Sequence, residues 1–244
     1  MKAVGIIPAR YHSTRLEGKP LVDIAGKPMI RHVYENAVKA KSLDLVLVAT
    51  DDERILKAVE AFGGRAVMTS KDHPTGTDRS AEVARDLDVR VVINIQGDEP
   101  FVRPEMIDEV AEPLLADGNL PMATAMHEIV DPRDYQNPNV VKVVTDLNGY
   151  ALFFSRSLIP YPRYKEHFRV YEHIGIYGYQ RQFLLAYSRM KPTPLEKTES
   201  LEQLRALENG YKLKVVLTGQ SYIPLSVDTL EDLEKARKLA ASGS

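Results

Sequence analysis

Apolar positions follow two rhythms along this chain. "KAVGII" (2–7), "LDLVLVAT" (43–50), "RAVMT" (65–69) and "VRVVINIQ" (89–96) are short apolar runs rich in β-branched residues, and they read as buried strands. Between them the apolar residues fall at helical spacing. "PMIRHVYENAVKA" places Met29, Ile30, Val33, Tyr34, Ala37 and Val38 on one face, with Pro28 suited to the first turn. A second helix points Ile55, Leu56, Val59 and Phe62 inward, with Asp51 or Asp52 as its cap and Gly63–Gly64 as its stop. "DRSAEVARDL" (78–87) predicts a third. Strand alternating with helix at this spacing predicts parallel strands, right-handed crossovers and helices on both faces.

The rhythm changes after Pro121. "MATAMHEI", "NVVKVVTD", "GYALFFSR" and "YEHIGIYGY" read as antiparallel strands, with Asn148–Gly149 as a hairpin turn. Helices near 181–190 and 195–208, a strand over 212–218 and a last helix from about 229 complete the chain. There is no linker, repeat or low-complexity tract. The expectation is one α/β domain over 1–244 with a mostly parallel central sheet. A first half, about 1–128, carries that sheet, and a smaller α+β lobe occupies about 129–244.

Strand ends point to the chemistry. In such sheets ligands sit outside the carboxyl ends of the strands. The loops there are "PARYHSTRLEGK", "TDDE", "TSKDHPTGTDR" and "QGDEP", all polar, and they should converge on one cleft. The first holds Arg10, Arg15 and Lys19. Loop amides and cations at a strand end can hold a polyphosphate; a solvated loop would look the same. Walker and G-x-G-x-x-G patterns are absent. Asp98 and Glu99 follow a strand directly, a good place for Mg²⁺, although Gly97–Asp98 with Pro100 would also serve a turn. Asp228 with Glu231 resembles a capping box at the start of the last helix, and Asp228 is also a candidate metal ligand. His173, Tyr177 and Arg156 form a surface suited either to a polyhydroxylated acid or to a subunit contact.

Composition narrows the classes. The 244 residues carry a net charge of -2, so no global basic field draws in nucleic acid. The absence of cysteine excludes disulfides and thiol catalysis and fits a reducing compartment. No stretch reaches 18 apolar residues. These features predict a cytoplasmic protein that does not enter a membrane. Histidine spacing gives no zinc motif, and no G-x-S-x-G elbow appears.

Seven blocks together resemble a known family. "IPARYHSTRLEGKPL", "TDDERI", "HPTGTDR", "NIQGDEP", "YEHIGIYGY", "ESLEQLR" and "VDTLEDLE" occur in the order and spacing of the cytidylyltransferases that activate 2-keto-3-deoxy acid sugars. The resemblance spans nearly the whole chain and implies a Rossmann-like nucleotidyltransferase fold, with CTP and 3-deoxy-manno-octulosonate (Kdo) as substrates. Mg²⁺ would be the cofactor, the enzyme a homodimer, and the product destined for lipopolysaccharide. It implies that Arg10, Arg15 and Lys19 contact the triphosphate beside Pro8 and Ala9, and that Arg10, Lys19, Asp98 and Asp228 are catalytic. Thr75, Gly76, Thr77 and Arg79 would serve cytosine and ribose. Gln96 would lie between nucleotide and sugar, and Asp98 and Asp228 would hold the metal. Arg156, His173, Tyr177, Glu202 and Gln203 would face the sugar acid. Three other readings compete: a sialic acid cytidylyltransferase, a metal-dependent glycosyltransferase, and a non-catalytic nucleotide-binding module. The second lacks its usual D-x-D.

Overall fold

The structure is a computed structural model describing residues 1–13, 15–221, 223 and 225–242. Its strands are β1 (Ala3–Ala9), the short pair β2 (Asp23–Ile24) and β3 (Lys27–Pro28), β4 (Leu45–Thr50), β5 (Ala66–Met68) and β6 (Val91–Asn94). In the second half come β7 (Met122–Glu128), β8 (Lys142–Thr145), β9 (Ala151–Ser155), β10 (Tyr171–Gln180) and β11 (Leu213–Leu217). The helices are α1 (Met29–Ala37), α2 (Glu53–Ala61), α3 (Gly76–Arg85), α4 (Pro104–Ala116), α5 (Arg181–Tyr187), α6 (Pro194–Glu199), α7 (Leu204–Glu208) and α8 (Leu230–Ala241).

One sheet runs through both halves in the order β11-β7-β10-β6-β1-β4-β5, with β8 and β9 branching from β10. β6, β1, β4 and β5 are parallel neighbours, as are β11 and β7. β10 pairs antiparallel with β6 and β7 and joins these two parallel groups. The strands read as continuous apolar runs because both faces are covered. Period-two alternation sends Ile7, Val48, Ile93 and Ile95 into a core with α1, α2 and α4. It sends Val4, Ile6, Leu47 and Val92 into a second core beneath α3 and α5, where Tyr179, Phe183 and Tyr187 pack.

The structure refines several expectations. α4 was not anticipated. Its buried face (Met106, Ile107, Val110, Ala111 and Leu114) has helical spacing, but Pro104 and Pro113 interrupt the pattern. Pro104 sits in the first turn, where a missing N–H costs nothing, and Pro113 falls in the last. The expected single helix over 195–208 is two, because Ser200 adopts a left-handed conformation (φ 53°) that ends α6. Arg205 Nε donates to Glu196 Oε2 across this break at 2.8 Å. The cap of α8 lies one residue later than expected: Thr229 and Asp232 form the capping box, leaving the Asp228 side chain free for other partners. The hairpin at Asn148–Gly149 forms as expected, with Gly149 N–H donating to Asp146 C=O at 3.0 Å.

A small third cluster positions the site. Val227, Leu233 and Ala236 pack on Ile24 and Met29. This seats the start of α8 against the β2–β3 hairpin, and Val227 N–H donates to Asp98 C=O at 2.9 Å. The tail of the chain is thereby brought to the end of β6.

Candidate active site

The loops after β1, β5 and β6 enclose a cleft of about 350 Å³, and Asp228 closes one side. Pro8, Ala9, Arg10, Arg15, Lys19, Thr75, Gly76, Arg79, Gln96 and Asp98 all line it. The second loop, "TDDE", does not. Asp51 instead lies behind the wall, 3.1 Å from the buried Arg79 guanidinium, and Asp52 caps α2 by accepting from Arg54 N–H. Close contact between strand ends requires Gly97, where an added Cβ would stand 2.8 Å from the Pro8 carbonyl oxygen. Ser13, Pro20, His73 and Pro74 also line the cleft and were not singled out from sequence, and Gly97, read from sequence only as a turn residue, lines it too. The signal for His73 was its place in the third strand-end loop; its Nε2 pairs with Glu82.

Lys19 is the centre of the cleft's electrostatics. Its Nζ donates to Asp98 Oδ2 at 2.6 Å and to Asp228 Oδ1 at 2.8 Å. Burial pulls the Lys19 pKa down, but the two carboxylates outweigh it, so the ammonium titrates above its ordinary value. Arg15 Nη2 reaches the other Asp228 oxygen at 3.1 Å. Arg10 is exposed at the mouth. Two carboxylates therefore converge on one point, which a cation already occupies. Among the described residues no three metal-ligating side chains cluster. Two carboxylates with open space beside them suit Mg²⁺, which completes its shell with water and phosphate oxygens.

The remaining residues form a second zone next to the cleft. Thr75 caps α3, its Oγ1 accepting from Asp78 N–H at 3.1 Å. Thr77 Oγ1 donates to Glu202 Oε2 at 3.1 Å, tying α3 to the turn between α6 and α7. Gln96 Nε2 donates to Gly175 C=O at 3.2 Å, at an irregularity between Ile174 and Tyr177 in the β10–β7 register. Glu202 Oε1 and Gln203 Nε2 are buried with no hydrogen-bond partner among the described residues. Burial lifts the Glu202 pKa to about 7. The Tyr177 ring lies tilted against His173 with centroids 5.3 Å apart, and burial, with Glu202 and Glu99 nearby, raises its phenol well above the usual range.

His173 Nε2 lies 2.9 Å from Thr124 Oγ1. Thr124 has one hydroxyl proton, and its shortest carbonyl contact is Ile176 at 2.7 Å. It therefore accepts from His173, which fixes the Nε2–H tautomer and leaves Nδ1 as an acceptor. Burial pushes the His173 pKa down to about 3, so the ring is neutral near pH 7. Arg156 is placed differently from these residues. Its guanidinium donates to the carbonyls of Glu199 (2.6 Å), Pro138 (2.9 Å) and Ser200 (3.3 Å), bracing the turn that carries Glu202.

A sheet whose parallel strand ends open on a cleft of three cations and two carboxylates is suited to a polyphosphate-bearing ligand with a divalent cation. Comparison with known proteins supplies the class. The cytidylyltransferase family model matches residues 4–215, and the chain belongs to that family. It is 54% identical over 248 residues to 3-deoxy-manno-octulosonate cytidylyltransferase of Geotalea uraniireducens, covering 96% of this chain and 97% of the relative. It is 55% identical over 236 residues to the Fusobacterium nucleatum enzyme of that name, covering 96% and 95%. Among solved structures, a CMP:2-keto-3-deoxy-manno-octonic acid synthetase complexed with CTP superposes with a TM-score of 0.95 at 46% identity, over 100% of both chains. A 4-diphosphocytidyl-2C-methyl-D-erythritol synthase from Anaerococcus prevotii shares the fold alone, with a TM-score of 0.63 at 19% identity over 98% and 99%.

Proposed function

We propose that this protein transfers CMP from CTP to the anomeric 2-hydroxyl of Kdo, releasing pyrophosphate and giving CMP-Kdo for lipopolysaccharide synthesis. The observation that carries the reading is the junction of Lys19 with Asp98 and Asp228 in a cation-lined cleft. Relatives at 54% and 55% identity bear the name of this activity. No rival reading has a comparable observation in its favour.

The chain's own residues have separable tasks. Arg10, Arg15 and Lys19 neutralise the triphosphate, and Pro8 and Ala9 form the floor beside it. Thr75, Gly76 and Thr77, at the start of α3, with buried Arg79 behind them, serve the nucleoside side. Gln96 spans the two zones. Glu202 Oε1, Gln203 Nε2 and His173 Nδ1 offer acceptors and a donor to sugar hydroxyls and carboxylate. Asp98 and Asp228 would hold Mg²⁺, which when bound supplies charge neutralisation and lowers the pKa of a nearby hydroxyl. The 2-hydroxyl oxygen bonds to the α-phosphorus and gives up its proton to solvent, as the bond from the α-phosphorus to the oxygen bridging to the β-phosphate breaks and that oxygen leaves with pyrophosphate. The protein contributes positioning and preorganised charge rather than covalent chemistry.

We place the reaction in the cytoplasm, in keeping with a chain free of cysteine. Among the described residues no helix is long and apolar enough to cross a membrane. A homodimer built on the second half accords with exposed Leu147, Leu152 and Tyr161. Product analysis tests the reaction. Incubation with CTP, Mg²⁺ and Kdo should give one CMP ester and one pyrophosphate per sugar consumed. CTP binding without either product would favour the non-catalytic module.

A further inference from the structure

The loop bearing the phosphate-side cations is tied down by residues outside the cleft. Tyr11 C=O accepts from Gly18 N–H at 2.9 Å, which brings these two residues together across the loop. Arg10 precedes this pair, Arg15 lies between its members and Lys19 follows it. Gly18 has φ +65°, and an added Cβ there would meet the Tyr11 ring at 3.2 Å. The Arg54 guanidinium carbon stands 3.3 Å from the Tyr11 ring centroid. Arg54 is itself fixed: its Nε and Nη2 donate to Asp52 Oδ1 and Oδ2 at 2.9 and 2.7 Å. Asp52 is anchored as the N-cap of α2. An unbroken chain of contacts thus runs from α2 through Asp52 and Arg54 to Tyr11 and the loop.

We propose that Tyr11 and Arg54 form a strut that sets the shape of the phosphate loop, and that Arg54 is a positioning residue for the nucleotide. Arg54 does not line the cleft. Removing its charge also leaves the Asp52 carboxylate uncompensated, so Tyr11→Leu, which keeps both charges, is the variant that reads loop geometry alone. The Arg54 side chain is 54% exposed, and surface pairs of this kind add little to global stability. The strut therefore acts through loop geometry. Without it the three cations must be ordered when nucleotide binds, and that ordering lowers affinity.

The inference rests on the CTP reading, and the test separates the two. CTP affinity by titration calorimetry, and KM and kcat for CTP, are measured in the unaltered protein and in Arg54→Met, Tyr11→Leu, the double variant and Tyr11→Phe. Each of the first two should weaken CTP binding and raise its KM about two- to fivefold, the range of an exposed cation–aromatic contact. kcat and the sugar KM should stay within about twofold, and the double variant should be no worse than the worse single one, because both remove one contact. Tyr11→Phe keeps the ring and should bind CTP like the unaltered protein. CTP affinity unchanged in both single variants, or losses that multiply in the double, would overturn the strut while leaving the CTP reading intact. Failure of the unaltered protein to bind CTP would overturn both.

Discussion

Replacing Lys19 with methionine should damage the empty protein as well as the reaction. The ammonium is the only described group that bridges Asp98 and Asp228, at 2.6 and 2.8 Å. Its loss leaves two carboxylates facing one another, with Arg15 still 3.1 Å from one Asp228 oxygen. A charge-assisted hydrogen bond is worth about 1.5–3 kcal/mol. The two here are partly exposed, with side chains 17%, 23% and 32% accessible, so solvent screening discounts the sum. We expect a net loss of about 2 kcal/mol, or about 6 °C in melting temperature for a chain of this size. Millimolar Mg²⁺ without nucleotide should recover part of that loss in Lys19→Met, because the freed carboxylates can then bind the ion. It should shift the wild type little. Differential scanning fluorimetry with and without Mg²⁺ reads both effects. A variant melting within about 1 °C of wild type, or one indifferent to Mg²⁺, would refute the reasoning.

Asp228 and Thr229 should separate function from stability. Asp228→Asn should remove turnover while the melt stays within about 2 °C of wild type, whereas Thr229→Ala, which deletes the observed cap, should cost about 1 kcal/mol and leave turnover largely intact. His173 has a folded pKa depressed to about 3 against 6.5, so its contribution is present above pH 6.5 and is lost as pH falls towards 3. His173→Gln should therefore flatten the acid limb of a denaturation series, by roughly 2 kcal/mol at pH 5. Glu202 has the opposite sign: its folded pKa of about 7 lies above 4.5, so stability is fully present below pH 4.5 and is lost as pH rises through 7. Glu202→Gln should remove that loss and stabilise the protein above pH 7 by about 2–3 kcal/mol, measured by urea denaturation at pH 5 and 8.

Much of this was legible because buried parallel strands announce themselves. β1, β4 and β6 are apolar on both faces, and the polar loops after β1 and β6 hold Arg10, Lys19 and Asp98. α4 was hidden by Pro113, which removes one i→i−4 hydrogen bond but lies in the final turn, so that only the end of the helix loses it. The break at Ser200 depends on a left-handed backbone that serine does not advertise. The side-chain partners were less legible still. Nothing local says that Asp51 lies behind the cleft beneath Arg79, or that Arg156 points at backbone carbonyls. Lys19 and Asp228 are 209 positions apart and meet only because α8 docks on the β2–β3 hairpin. Local spacing shows which loop reaches the ligand, while tertiary packing decides which side chain meets which.

The central claim is that Kdo is the acceptor for CMP. Pyrophosphate release with CTP and Mg²⁺ over a panel of acid sugars tests it most directly. The account predicts rapid release with Kdo and at most slow release with sialic acid. Release driven by sialic acid and not by Kdo would contradict it, and would reassign the surface of Glu202, Gln203 and His173 to a different sugar.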